Sequence, residues 1–368
     1  MPTIQEQMAA MQKLAGRSAD KKPRHALPCI ALGPEVERAH CNCRRNDSRT
    51  CLKGKGVVTQ SGQCETCTEY EPEADEDEPE RWRIPNDGLG GRDAGTWRFN
   101  GGAIPFQGRL WLAYRTGWAG AQVHLSELDP VTWAVKRTQT LTRLRHRLAN
   151  YGREDPRLFV HRGALHVSYV GVEQGPGVFK TNVLYARINH ESMRVEAVFA
   201  PRTPDTDPNR WEKNWSFFSH ADRLFFVYSI KPHVVYEVAG ERIVNRWQTA
   251  MDLPWSGGYL RGGASPVAVD GRWVHWFHGA HDLGSTWPIR RYNVGAYAFA
   301  GAPPFAPIAM TPNPLYEADH DTRPADQYCS VVFPCGAFLN ASREWVVTCG
   351  VHDRWLERHV YPVGVPNL

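Results

Sequence analysis

Six of the nine cysteines fall within one short stretch, as Cys29, Cys41, Cys43, Cys51, Cys64 and Cys67. Cys41/Cys43 and Cys64/Cys67 are two close pairs about twenty residues apart, a spacing that suits one Zn²⁺ held tetrahedrally by four thiolates. In a segment with little apolar material the metal would supply the folding energy. Cys29 and Cys51 are left to replace a ligand, complete a second metal or stay free; an iron–sulfur cluster, which also takes four thiolates, and disulfides are the alternatives. Further along, five polar clusters follow one another: Phe99-Asn100-Gly101-Gly102, Arg153-Glu154-Asp155-Pro156-Arg157, Glu212-Lys213-Asn214-Trp215, Arg261-Gly262-Gly263-Ala264-Ser265-Pro266 and Asp326-Gln327-Tyr328-Cys329. Carboxyl, guanidinium and ammonium groups gathered in one place can move protons and hold polar or anionic ligands.

The elements that must position these clusters repeat. Each cluster leads into an apolar run, a short polar turn and a second apolar run. The second runs are Arg109–Arg115, Ala164–Val170, Arg223–Ser229, Arg272–His278 and Glu344–Gly350. Aligned on Tyr114, Tyr169, Tyr228, Phe277 and Cys349, they are spaced by 55, 59, 49 and 72 residues. A period near fifty residues built of hairpins predicts an all-β, five-bladed β-propeller, with one four-stranded blade per repeat. Gln107-Gly108, Arg162-Gly163, Ala221-Asp222 and Asp270-Gly271 mark the hairpin turns. Third strands are expected over 121–128, 182–187 and 233–238, and outer strands over 133–138, 194–199 and 242–247. The clusters then head the innermost strands, and five of them make one ring of charge around one funnel. Cys329, Cys335 and Cys349 are expected inside strands of the fifth blade as small buried hydrophobes.

Composition sets the remaining boundaries. Residues 1–27 read as a tail with one amphipathic helical stretch, 28–70 as the small metal-binding module and 71–85 as a linker. Eight acids in the twelve positions from Glu69 to Glu80 keep that linker extended by self-repulsion. Residues 86–368 then form the propeller. A net charge of +4 with scattered basic residues offers no stripe for nucleic acid. The N-terminus lacks the apolar core of a secretory signal, and no run of about eighteen apolar residues spans a membrane, so a cytoplasmic protein is expected.

With these residues in place, the chain resembles the five-bladed propeller family of inverting β-mannoside phosphorylases and their hydrolytic relatives. The resemblance rests on Phe99-Asn100 with Tyr114-Arg115, Glu154-Asp155-Pro156-Arg157, Lys213-Asn214-Trp215, Arg261-Gly262-Gly263, and Val332-Phe333-Pro334-Cys335-Gly336 with Gly350-Val351-His352-Asp353, one element per blade in order. It implies Asp155 as the acid that protonates the leaving oxygen, and Asn100 and Asp353 as partners of the sugar in the cleaved subsite. Arg115 would belong to the ring facing the attacking phosphate. Inverting cleavage needs one protonated carboxyl and a nucleophile on the opposite face of the sugar. Phosphate in that role needs cations, for which Arg115, Lys213, Arg261, His278 and Arg202 are available, with Arg157 and Asn214 beside them. Water would need a second carboxylate instead, and Asp282, Asp321 or Asp326 could serve.

Asp155 is expected to have a raised pKa, from partial burial or from Glu154; Arg157 should point to the same side of the strand and be engaged elsewhere, by Glu154 or a substrate oxygen, since beside Asp155 it would lower that pKa. Trp118, Trp215, Trp255 and Trp287 are the candidate sugar-stacking residues, with core packing the favoured alternative for each taken alone. The resemblance breaks at Gly262-Gly263-Ala264-Ser265-Pro266, where a threonine and two prolines would be expected, and at the absence of a proline in Asn214–Phe218. The cysteine module is foreign to the phosphorylases. The expected ligand is a mannose-containing oligosaccharide or glycoconjugate, with inorganic phosphate as co-substrate. A non-catalytic glycan-binding propeller and a sugar-nucleotide-dependent mannosyltransferase remain as alternatives.

Overall fold

A computed structural model describes residues 79–85, 88–90, 97–117, 120–176, 178–206, 211–283, 290–320, 322–324, 327 and 329–368. Cys29, Cys41, Cys43, Cys51, Cys64 and Cys67 lie outside the described residues, as do Trp118, Trp287, Asp321 and Asp326. The chain divides into two units, Met1–Glu76 with Pro324–Gln327, and Asp77–Arg323 with Tyr328–Leu368. The second is a five-bladed propeller.

Blade one is an antiparallel meander of Arg98–Phe106, Arg109–Thr116, Gln122–Leu128 and Val135–Thr140. Blade two repeats it with Gly152–His161, Ala164–Gly175, Val178–Asn189 and Arg194–Phe199, and blade three with Ser216–His220, Arg223–Ser229, His233–Ala239 and Arg242–Thr249. In blade four the inner strand is broken into Tyr259–Gly262 and Val267–Val269, both paired to Arg272–Asp282. Blade five runs Val332–Leu339, Trp345–Val351 and Trp355–Tyr361, and its outermost strand is Glu80–Arg83 from the other end of the propeller. Residues 80–83, read from sequence as the end of the acidic linker, therefore close the ring. Their charged side chains suit an outermost strand, because only one of its edges is paired.

The four hairpin turns between inner and second strands have positive φ at both central residues: 50° and 72° at Gln107-Gly108, 48° and 67° at Arg162-Gly163, 47° and 56° at Ala221-Asp222, and 48° and 78° at Asp270-Gly271. That is the turn whose twist matches the strands it joins. Among the described residues the helical turns are two short 3-10 segments, Thr142–Leu144 and Arg147–Ala149, and no helix is long and apolar enough to cross a membrane.

The core is distributed over five seams. Trp111 and Leu165 belong to the cluster between blades one and two, Phe159 and Trp215 to that between two and three, and Phe218 and Phe277 to that between three and four. Trp276 and Val347 lie between four and five, and Leu112 and Val346 between five and one. The aromatic surplus of the sequence is spent here, where large flat side chains fill wedge-shaped gaps between twisted sheets. Cys335 and Cys349 are buried within strands as expected, while Cys329 is only half-buried and lies outside the strands.

Candidate active site

Three of the five inner strands share a defect, which in blades one and two falls where their polar residues stand. The ladder slips between Phe99 and Gly102 in blade one, between Glu154 and Arg157 in blade two, and between Pro334 and Gly336 in blade five. Such bulges re-aim a side chain that regular alternation would send elsewhere. Asn100 and Asp155 sit in two of them with φ of 50° and 49°, and Asn214, just before the inner strand of blade three, has φ of 66°. Asn and Asp are the non-glycine residues that tolerate this left-handed region. Pro156 and Pro334 stand at the same slips, where no ladder N–H is required. In blade five Asp353 and His352 follow the second strand, also at positive φ.

These bulges bring blades one, two and five to one point. The Asn100 amide donates to Asp155 Oδ1 at 2.8 Å. Arg115, from the second strand of blade one, donates through Nη1 to Asp155 Oδ1 and through Nη2 to Glu154 Oε1, both at 3.2 Å. Its guanidinium lies over the Phe99 ring at 4.7 Å. Gly350 makes the approach possible: a Cβ there would overlap the side chain and backbone of Asn100.

Three carboxyls, Glu154, Asp155 and Asp353, thus surround one buried guanidinium, and their pKa values diverge. Burial works against ionisation of Asp155, but Arg115, the Asn100 amide, Arg157 and Lys213 outweigh it and hold its carboxyl below the usual range. Burial pushes Asp353 up to about 6, helped by the charges of Asp155 and Glu154 and opposed by Arg115. Glu154 is also raised by burial, with Arg115 pulling the other way. The expectation of a raised pKa at Asp155 is therefore corrected: Asp155 is held towards its ionised form, and the raised values belong to Asp353 and Glu154.

Arg157 lies near enough for its charge to act on Asp155, but its hydrogen bond goes elsewhere, as expected, and to Asn214 instead of Glu154. The bulge at Asp155 shifts the alternation, so Arg157 is fully buried, donates through Nη2 to Asn214 Oδ1 at 3.2 Å and lies over Phe333 at 5.1 Å. His278 stacks on Tyr292 at 5.7 Å and meets the edge of Phe333 at 4.6 Å. Burial, with Arg261 and Arg157 nearby, pushes its pKa well below the usual value. His278 is therefore a neutral wall of the funnel, not one of its cations. Asn100 Oδ1, Arg157 Nε and His278 Nδ1 are buried without a hydrogen-bond partner among the described residues, an inventory that a hydroxyl-rich ligand would complete.

Between blades three and four lies a cleft of about 590 Å³, lined by Lys213, Asn214, Arg261 and Gly262 on the funnel side and by Trp211, Tyr228, Lys231 and Tyr259 further out. Among the described residues its lining holds the three cations Lys213, Lys231 and Arg261 and no carboxylate, with Asp282 accepting from the Tyr259 hydroxyl beside it. Gly262 has no Cβ because the Asn214 carbonyl occupies that space, which lets the two blades close on each other here. Lys213 Nζ sits 5.6 Å from the Trp211 ring.

Several expected residues lie elsewhere. Arg202 lines a separate, smaller pocket with Lys180, Thr181 and Glu212. Asp282 is exposed and ion-paired to Arg290 at 2.8 Å, which with the Tyr259 hydroxyl holds its carboxyl low. Trp215 is core, stacked on Phe226 at 4.7 Å, and Trp255 packs against Phe277 at 4.8 Å. The exposed aromatics at the cleft are instead Trp211 and Tyr259. Trp211 stands two residues before Lys213, and that alternation in an extended segment was the available signal. Among the described residues no group of three or more His, Cys, Asp and Glu is placed to hold a metal ion.

No protein-family model matches the chain, and no curated protein matches it by sequence. Solved structures do match. A mannose phosphorylase from Leishmania mexicana in complex with phosphate ion is 12% identical, with a TM-score of 0.53 over 76% of this chain and 87% of that one. A β-1,2-mannobiose phosphorylase from Listeria innocua in complex with β-1,2-mannobiose is 14% identical, with a TM-score of 0.51 over 77% and 97%. A putative glycoside hydrolase from Parabacteroides distasonis is 13% identical, with a TM-score of 0.55 over 72% and 87%. At this identity the likeness is one of fold.

Proposed function

We propose that the propeller is a carbohydrate-active enzyme that cleaves or forms a β-mannosidic bond with inversion, using inorganic phosphate as the partner nucleophile. The observation that carries this reading is the juxtaposition of two unlike halves at one funnel: a three-carboxyl cluster around Arg115, and a cleft lined by Lys213, Arg261 and Lys231 with no acid among its described lining residues. Acidic groups on one side and cations on the other are what proton delivery to a leaving oxygen and attack by an anion require. The names of two solved structures of this fold, a mannose phosphorylase holding phosphate and a β-1,2-mannobiose phosphorylase, support mannoside and phosphate as the substrates.

In this reading Asn100 and Asp353 hold the mannosyl unit and Asp155 faces the glycosidic oxygen. A phosphate oxygen, held by Lys213 and Arg261, attacks the anomeric carbon from the opposite face. The carbon–oxygen bond to the leaving sugar breaks as Asp155 passes a proton to that oxygen, and the product is an α-mannosyl phosphate. Asp155 is ionised in the free protein and must first collect a proton. Asp353 and Glu154 are the adjacent groups that retain one nearest neutrality, so the acid is the cluster and Asp155 its delivering end. Arg157 and Asn214 brace the floor between the two halves.

A donor screen tests this. Incubation with β-mannosides and inorganic phosphate is expected to release mannose 1-phosphate at a rate set by the phosphate concentration. Release of free mannose independent of phosphate would replace the reading with hydrolysis. Turnover of GDP-mannose alone would make the protein a mannosyltransferase, and binding without turnover would make it a lectin.

A further inference from the structure

The seam between blades three and four contains a chain of buried polar groups that packing alone does not require. Thr249 Oγ1 lies 3.5 Å from His233 Nδ1, His233 Nε2 lies 3.0 Å from Tyr297 Oη, and Tyr297 Oη lies 3.0 Å from His275 Nδ1. His275 Nε2 lies 3.0 Å from Ser216 Oγ, and Ser216 Oγ lies 3.2 Å from the Gly263 carbonyl. His233, His275, Tyr297 and Ser216 are each 0–1% exposed.

The direction of the chain follows from its inner end. Ser216 has one hydroxyl proton, and the Gly263 carbonyl can only accept, so that proton goes to Gly263 and Ser216 must accept from His275 Nε2. His275 Nδ1 then accepts from the Tyr297 hydroxyl, Tyr297 accepts from His233 Nε2, and His233 Nδ1 accepts from Thr249. The longer contact of the Gly263 N–H with His275 Nε2, at 3.5 Å, competes for the same nitrogen and is the weaker choice. Burial keeps both imidazoles neutral, with His233 lowered to about 4 and His275 well below the usual value. Each ring is thus confined to one tautomer and each bond points inward.

The inner end lies under the cleft. Ser216 is two residues beyond Asn214 and three beyond Lys213; Gly263 is two beyond Arg261. A side chain at Gly262 would strike the Asn214 carbonyl and the Ser216 hydroxyl, so the two cation-bearing segments touch at this bond. We propose that Ser216, His275, Tyr297 and His233 are positioning residues whose directed hydrogen bonds hold Lys213 and Arg261 at the separation that binds the anionic co-substrate. This rests on the reading of the cleft as the phosphate site.

The test uses Tyr297→Phe, which removes one hydroxyl remote from the cleft, and Ser216→Ala, which removes the inner link. Trp273→Phe is the control, a change in the same core cluster but outside the chain. Tyr297→Phe and Ser216→Ala are expected to raise the KM for inorganic phosphate about tenfold while leaving kcat at saturating phosphate and the KM for mannoside within about twofold. Hydrogen exchange of peptides covering 211–216 and 259–264 should accelerate in both variants, with blades one and two unchanged. Trp273→Phe should lower the melting temperature without either effect. Unchanged exchange at both peptides in Tyr297→Phe and Ser216→Ala, or equal effects in Trp273→Phe, would overturn the proposal. A wild-type protein that binds no phosphate by calorimetry would instead remove the phosphate reading, and the exchange measurement would still decide whether the chain positions the seam.

Discussion

Asp155 and Asp353 are both carboxyls beside Arg115, yet the fold drives their proton affinities apart. Asp155 receives the Asn100 amide and the guanidinium directly, whereas at Asp353 burial, with the charges of Asp155 and Glu154 behind it, outweighs Arg115 and the Asn100 side chain. Asp155→Asn is expected to reduce the catalytic rate per folded molecule by 10²–10⁴-fold, the usual contribution of general acid–base help, and also to lower the melting temperature, because it takes the carboxylate partner from the buried Arg115 guanidinium. A loss under about tenfold would remove Asp155 from the acid role. Asp353 carries a pH dependence of definite sign. Its folded pKa is raised from 3.8 to about 6, so its contribution to stability is complete below pH 4 and lost as pH rises through 6. Asp353→Asn removes that loss. The variant should gain about 1–2 kcal/mol over wild type at pH 8, after allowance for partial exposure, and nothing at pH 4, while its mannoside affinity falls. Melting curves at the two pH values, beside an inhibition assay, check both halves.

At the scale of elements, the inner strand is a device for presenting polar residues at a bulge. Because the bulge needs neighbouring backbones to come very close, the glycines around it are structural parts of the site. Gly350→Ala is expected to destabilise the protein by about 1–3 kcal/mol, the range of an overpacked core, and to weaken sugar binding as Asn100 is displaced. An unchanged denaturation midpoint would contradict the packing. The outermost strand of blade five makes a second element-scale prediction. A chain beginning at residue 77 should retain the fold, whereas one beginning at residue 85 loses the strand Glu80–Arg83 and its pairing with Trp355–Tyr361. Circular dichroism melts of the two chains should differ by several degrees, with the shorter one less stable. The cut that separates the cysteine-rich region from the propeller must therefore precede Glu80.

At the scale of the whole molecule, five seams carry the core and one funnel carries the polar residues. The cysteine-rich region belongs to the other unit, and its chemistry rests on spacing alone. Purified full-length protein is expected to carry about one Zn²⁺ per chain, and Cys64→Ser with Cys67→Ser should abolish metal uptake without altering the propeller's melting transition. Iron with sulfide, or no metal at all, would replace that assignment. Propellers pack blade against blade through local hairpins, so a lesion in one seam is felt first at the cluster that seam supports, which is why the Ser216–Tyr297 chain is expected to act on the cleft and not on Asp155.

Much of this architecture is written locally. The hairpin turns, the strand alternation and the fivefold recurrence depend on residues within about ten positions of one another, so Gln107-Gly108 or Asp270-Gly271 announce themselves in the sequence. Asn100, Asp155 and Asn214 were legible for the same reason, because each stands near the start of its blade's inner strand, whereas Asp326 of the fifth cluster lies outside the described residues. Their states were not. Whether Asp155 or Asp353 keeps a proton, whether His278 is charged and whether Arg157 faces Asp155 or Asn214 depend on groups from other blades and on bulges that cancel the strand's alternation. The neutral, one-way chain through His275 and Tyr297 spans 64 positions of sequence from His233 to Tyr297 and exists only once blades three and four are folded against each other. Sequence determines which groups meet at the funnel, through short-range periodicity; charge, tautomer and aim are decided by desolvation and long-range pairing, which only the closed ring supplies.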